Sequence, residues 1–137
     1  IPEFIENLDF EAAEFIKVNQ GQALLTLNCI NQISFVPKKV KDRKMPFEIE
    51  RGYNYEDEII FELPATYKFD TLPSNQNISN EFGEYVYDLK REGQKLIYHR
   101  KILLKKGFYN PEKYENYRKF REQIARLENT KIILISN

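Results

Sequence analysis

Cys29 and His99 are the residues with the chemistry for covalent catalysis, since a thiolate beside an imidazole base is the minimal apparatus of acyl transfer. Each is the sole residue of its type in the 137-residue chain. Cys29 closes the alternation Leu25, Leu27, Cys29, which turns its thiol toward a core. His99 falls on another strand, on one face with Ile97 and Leu103, and no recognisable motif flanks it. The pattern predicts an inert core thiol and an ordinary strand histidine, so no catalytic residue is assigned. One Cys and one His cannot furnish a structural zinc site, and a single Cys cannot close an intrachain disulfide. Glu56, Asp57 and Glu58 gather charge but lack the alternating ligands and the Gly of a calcium loop; they read as a solvated turn around Asn54 to Asp57. The five glycines are scattered singly, so there is no phosphate-binding loop. Neither a metal nor a cofactor is expected.

Binding is a different matter, because the chain carries nine Tyr and ten Phe. Tyr85, Tyr87, Tyr98, Tyr114 and Tyr117 recur at strand or helix period and belong to the core. Tyr53, Tyr55 and Tyr109 lie near turns and are the candidate ligand or interface contacts, for a protein or glycan partner. Charge points to no partner: Lys plus Arg and Asp plus Glu are equal at 21 each, which leaves no field to gather nucleic acid or an anionic membrane. The basic run from Pro37 to Lys44 lacks interleaved aromatics and reads as a solvated connection. No apolar run approaches the roughly 20 residues of a membrane span, and no signal peptide is present, so membrane insertion is not expected.

The elements that must position these residues are mostly strands. Ala12 to Val18 and Gln22 to Ile30 flank Asn19-Gln20-Gly21 as a hairpin. Phe47 to Tyr53 is a strand, and Glu58 to Leu63 alternates Ile59, Phe61 and Leu63 against Glu58 and Glu62, the signature of a half-buried antiparallel strand. Tyr67 and Phe69 continue the alternation, and Leu72 to Asn80 reads as a polar loop. Phe82 to Lys90 and Lys95 to Lys105 form a second hairpin through Gly93, with a bulge expected because Glu-Gly is a weak two-residue turn. On the long strand Leu96, Tyr98, Ile102 and Leu104 share a face that Arg100 interrupts. One helix is legible, Pro111 to Leu127. Asn110 is placed to cap it, and Tyr114, Tyr117, Phe120, Ile124 and Leu127 form its apolar stripe, with Glu115–Lys119 and Glu122–Arg126 as i,i+4 pairs on its outside. Lys131 to Ile135 returns the chain to a sheet.

The ordered combination Pro46-Phe47, Glu58 to Pro64 with Tyr67 to Pro73, Gly83-Glu84-Tyr85, Gly93 to Arg100, and Gly107-Phe108-Tyr109-Asn110-Pro111-Glu112-Lys113-Tyr114 with Phe120 and Ile124 resembles the C-terminal domain of bacterial transglutaminase-like proteins. In those proteins a β-sandwich domain of unknown function follows a papain-like transglutaminase domain. The resemblance implies that a catalytic Cys, His and Asp belong to an upstream domain of the same chain, and that the protein resides in the cell envelope or periplasm. The start at Ile1, without Met, fits a fragment of such a chain. Residues 1–137 are therefore expected to form one accessory domain. Its fold should be a mainly β, antiparallel immunoglobulin-like sandwich of seven or eight strands, with the helix Pro111 to Leu127 followed by a last strand. It is expected to be non-catalytic, packing on or presenting substrate to the catalytic domain; the alternative is a carbohydrate- or peptide-binding module using the exposed tyrosines.

Overall fold

The computed structural model describes residues 4–7, 16–19, 22–29 and 31–136. Among them ten strands and one α-helix occur, in the order β1 (Ile16–Asn19), β2 (Gln22–Thr26), β3 (Phe47–Ile49), β4 (Tyr53–Glu62), β5 (Tyr67–Phe69), β6 (Gln76–Asn80), β7 (Gly83–Glu92), β8 (Lys95–Leu104), β9 (Gly107–Tyr109), α1 (Tyr114–Glu128) and β10 (Lys131–Ser136). A 3-10 turn, Pro111–Lys113, leads into α1. Seven strands have four residues or more; β3, β5 and β9 have three each, too short for a period of two to register. Residues 12–15 and 30 of the expected first hairpin, and its Gln20-Gly21 reversal, lie outside the described residues.

The strands form two four-stranded antiparallel sheets, β1-β2-β10-β5 and β4-β8-β7-β6, and a ribbon β3-β9. Leu25, Phe69, Ile132 and Leu134 from the first sheet, with Leu27 just after β2, meet Tyr85, Tyr87, Leu96, Tyr98 and Ile102 from the second in one core, which Phe120 and Ile124 of α1 join. This is the expected mainly β sandwich with a C-terminal helix and a last strand. Along β8 the alternation is strict: Leu96, Tyr98, Arg100, Ile102 and Leu104 are buried, while Ile97, His99, Lys101 and Leu103 turn outward. Five or more large apolar side chains at about 1.5–3 kcal/mol each explain why such elements stay docked.

Five expectations change. Asn54 to Asp57 is not a turn: β4 pairs with β8 without interruption from Tyr53↔Leu104 to Glu62↔Lys95, because the long β8 offers a full-length partner and Asp57 lies opposite Arg100. Part of the polar loop at Leu72 to Asn80 is strand β6, recruited to the edge of β7 with Ile78 opposite Tyr85. The β7–β8 hairpin has no bulge, since its register runs evenly from Gly83↔Leu104 to Glu92↔Lys95. Gly93 takes φ 62° as the first residue of the Gly93-Gln94 turn, the type II′ pattern that matches strand twist. At the helix start Asn110 makes no side-chain cap; its carbonyl accepts the Lys113 N–H at 3.1 Å, closing a 3-10 turn instead. The outer ion pairs also differ: Arg118 Nη1 sits between Glu115 at 3.3 Å and Glu122 at 3.5 Å.

The two ends of the β7–β8 pair make different demands on glycine. A Cβ on Gly83 would fall 1.9 Å from the Leu103 carbonyl, whereas one on Gly93 would meet nothing within 4 Å and suffers only from its positive φ. Urea unfolding of Gly93→Ala is therefore expected to show a loss of about 1 kcal/mol. Gly83→Ala is expected to lose more than about 2 kcal/mol, because backbone must move. Equal losses would contradict this packing.

Candidate functional site

The polar groups that a reactive site would draw on are largely committed to a buried junction at the end of α1. Glu128, fully buried, accepts five hydrogen bonds: from Asn28 Nδ2 at 2.9 Å, the Ile33 N–H at 3.1 Å, the Tyr85 hydroxyl at 2.8 Å, and Arg100 Nε and Nη2 at 3.2 and 2.5 Å. Arg100, also fully buried, further donates to the Asn31 carbonyl at 3.1 Å and to Asp57, whose side chain is one-third exposed. One carboxylate thus joins the helix to β7, β8 and the segment after β2, and its guanidinium partner extends the junction to β4. Burial works against the Arg100 charge, but Glu128 and Asp57 more than offset it and its pKa is raised.

The same burial raises the phenols of Tyr85, Tyr87, Tyr98 and Tyr117 above the ordinary tyrosine value, with the Glu128 charge adding at Tyr85 and Tyr98. With Tyr114 they make up the set that the sequence assigns to the core; the Tyr114 ring stands edge-on to Phe47 at 5.4 Å and its hydroxyl donates to the Lys38 carbonyl at 2.5 Å.

The three candidate contact tyrosines are divided. Tyr53 and Tyr55 are neighbours on the inward side of β4, ring centroids 5.0 Å apart, and Tyr55 is 45% exposed. Tyr109 stands elsewhere, half-buried, stacked on Phe47 at 5.3 Å and edge-on to Phe82 at 5.0 Å, with its hydroxyl on the Glu81 carbonyl. In place of Tyr109, two residues without a surface signal complete the patch. Arg121, almost wholly buried, donates Nη1 to the Tyr53 hydroxyl at 3.1 Å and Nε to the Phe35 carbonyl at 3.4 Å. Its guanidinium lies 5.2 Å from the ring of Phe35, which is 61% exposed. Tyr55, Tyr53, Arg121 and Phe35 form a surface cluster whose rings are held by a buried cation, the composition of protein contact centres.

The remaining candidates take structural places. Cys29 is half-buried against the core, and burial pushes its thiol pKa up. His99 faces the other way, on the outer side of the β4-β8-β7-β6 sheet, with Nε2 2.8 Å from Glu56 and Nδ1 3.8 Å from Asp88. No group of three or more metal-ligating side chains occurs among the described residues, nor a helix long and apolar enough to cross a membrane. The basic run is more than a solvated connection: Pro37 is buried and the Arg43 guanidinium lies over Tyr114 at 4.4 Å and Phe47 at 5.8 Å, strapping the segment to α1.

A family model described as a domain of unknown function with a solved structure, DUF3858, matches residues 21–134. The chain belongs to this family. The DUF3858 chain also superposes on the crystal structure of "a putative protease" from Parabacteroides distasonis ATCC 8503, with TM-score 0.66 and 21% identity over 84% of its own length. It spans only 23% of that longer protein, and the likeness is one of fold. No curated protein matches the chain.

Burial in this DUF3858 fold can be tested in three ways. Glu128→Gln leaves Arg100 buried with Asp57, one-third exposed, as its remaining carboxylate partner, and chemical denaturation should show a loss of about 3–5 kcal/mol. In a double-mutant cycle, Arg100→Leu with Glu128→Leu should be less damaging than the sum of the singles. Alkaline titration reads the phenols. Their folded pKa lies above the unfolded value near ~10, so folding holds their protons and stability falls as pH rises past that point. Absorbance at 295 nm should therefore rise in two steps, the second coinciding with loss of the circular-dichroism signal; one smooth rise with the fold intact would contradict it.

Proposed function

We propose that this DUF3858 chain is a non-catalytic accessory module that packs on, or presents substrate to, a transglutaminase-like catalytic domain of the same polypeptide in the bacterial envelope. The observation that carries the reading is the Tyr55–Tyr53–Arg121–Phe35 cluster: aromatic rings left in solvent, yet fixed by a buried guanidinium, lose little conformational entropy when a partner covers them. Two further points support it. The same fold occurs as under a quarter of a longer polypeptide, and the sequence combination from Pro46 to Ile124 resembles the domain that follows a transglutaminase-like domain. Cys29, packed against the core, and His99, on the outer side of the β8 sheet, are not a nucleophile and its base in this reading.

A second reading draws on the same cluster. Tyr55, exposed beside Tyr53, suits stacking on a sugar ring or a peptide side chain by a module that acts alone.

The test uses the parent polypeptide. A Cys–His–Asp domain should precede these residues, and removing residues 1–137 should lower its turnover or its melting temperature. Phe35→Ala and Tyr55→Ala in the intact protein should each weaken the contact by about 1–2 kcal/mol, roughly tenfold, without unfolding the domain. Unchanged turnover and stability in every variant, or a parent without such a domain, would sink the proposal.

A further inference from the structure

Strand β4 ends its sheet, with no strand beyond it among the described residues. Residues 53–60 make no backbone hydrogen bond except to β8 among the described residues, and Asn54, Tyr55, Glu56, Glu58 and Ile60 are all exposed. The outward face of this edge is open and the inward face only partly covered. On the inward side Tyr55 and Asp57 keep 45% and 33% of their surface in solvent, and Ile59, though it packs against the core, is only half-buried. The outward side presents Glu56, Glu58 and Glu62 around Ile60, in a chain whose formal net charge is zero. Glu56 meets His99 at 2.8 Å yet remains 59% exposed.

We infer that β4 is a strand-addition site for an extended peptide segment that alternates basic with small apolar side chains. Free N–H and C=O groups along a straight edge are a template for one more strand, and main-chain bonding supplies the affinity. Side-chain alternation then selects the occupant. Every second residue of an incoming strand falls along the outward row Glu56, Glu58, Ile60 and Glu62, where Lys or Arg is favoured at the three acids; the residues between fall over Tyr55 and Ile59, where an apolar group covers surface the domain leaves partly wet. A second copy of β4 is disfavoured by the same row, since antiparallel self-pairing would set carboxylate against carboxylate. The inference goes beyond the accessory role and holds without a catalytic neighbour.

The probe is a capped octapeptide of alternating Lys and Val, titrated into the full 137-residue chain by calorimetry with amide exchange as the structural readout. Saturable binding is expected, with slowed exchange confined to residues 53–60. The Glu56→Lys/Glu58→Lys variant should weaken it by about tenfold or more. Methylating the peptide nitrogens on one edge, which keeps its charge and apolar groups, should abolish it. The inference is overturned if the methylated peptide or an Asp–Val peptide binds as well, if no peptide binds, or if the free chain sediments as a dimer with β4 amides already protected. The peptide results stand even if the charge-reversed variant fails to fold. Phe35→Ala should leave the peptide affinity unchanged, so loss of the aromatic contact and loss of the strand site are separately visible.

Discussion

Taking Arg100 and Glu128 out of water costs several kcal/mol per ion, and their attraction offsets that only when geometry is good and every remaining donor and lone pair is met. Here the condition is satisfied by parts far apart in the sequence. Asn28 and the Ile33 amide come from the segment after β2, Tyr85 from β7, Asp57 from β4, and Glu128 closes α1. None of these elements can shift by a residue without stranding a charge in the core. Apolar packing alone tolerates slippage; a buried carboxylate with five donors does not.

The surface follows from that junction. Because Asp57 must reach Arg100, the residues around it are drawn into register with β8, and what composition suggests as an acidic turn becomes the middle of a ten-residue strand. Alternation then separates the acids: Asp57 turns inward to Arg100, while Glu56 and Glu58 turn outward. The same register carries Tyr53 and Tyr55 along the inward side to the place where Arg121 can hold them. A structural ion pair in the core thus decides which aromatic rings and which carboxylates face a partner.

How much of this is legible in the sequence depends on whether the information is local. The alternation from Leu96 to Leu104, the spacing from Tyr114 to Ile124 and Gly93 at its turn each name an element from a few consecutive residues, and the structure has them. What pairs with what is not local. Asn54 to Asp57 and Gln76 to Asn80 look like turn and loop because polar residues dominate them, and only β8 and β7, long strands with free sides, make strands of them. The junction did leave a trace: Arg100 stands on an apolar strand face, and Arg121 and Glu128 continue the helix stripe at the spacing of Tyr114, Tyr117 and Ile124. Charges of both signs on faces that must be buried imply that they meet something there. Asn28 left no such trace. The chain bends after Thr26, and the bend turns an apparently outward amide into the core.

Sandwich folds must keep their edge strands from pairing at random, and charged side chains at the edge are one device for this. Repulsion of like strands is only half of what a row of carboxylates does. The side chains on β4 that block self-pairing would also lower the free energy of a strand bearing the opposite charge, so an edge protected by one sign alone is protected against some partners and biased toward others. On β4 the outward acids share the strand with an exposed Tyr55 and a half-covered Ile59 on the other side. If protection were the only role, the inward residues of the edge would gain from being polar or fully covered. The apolar surface that Tyr55 and Ile59 still show to solvent, at the end of a sheet whose centre is tightly packed, is the part of the structure that protection does not explain and a bound strand does.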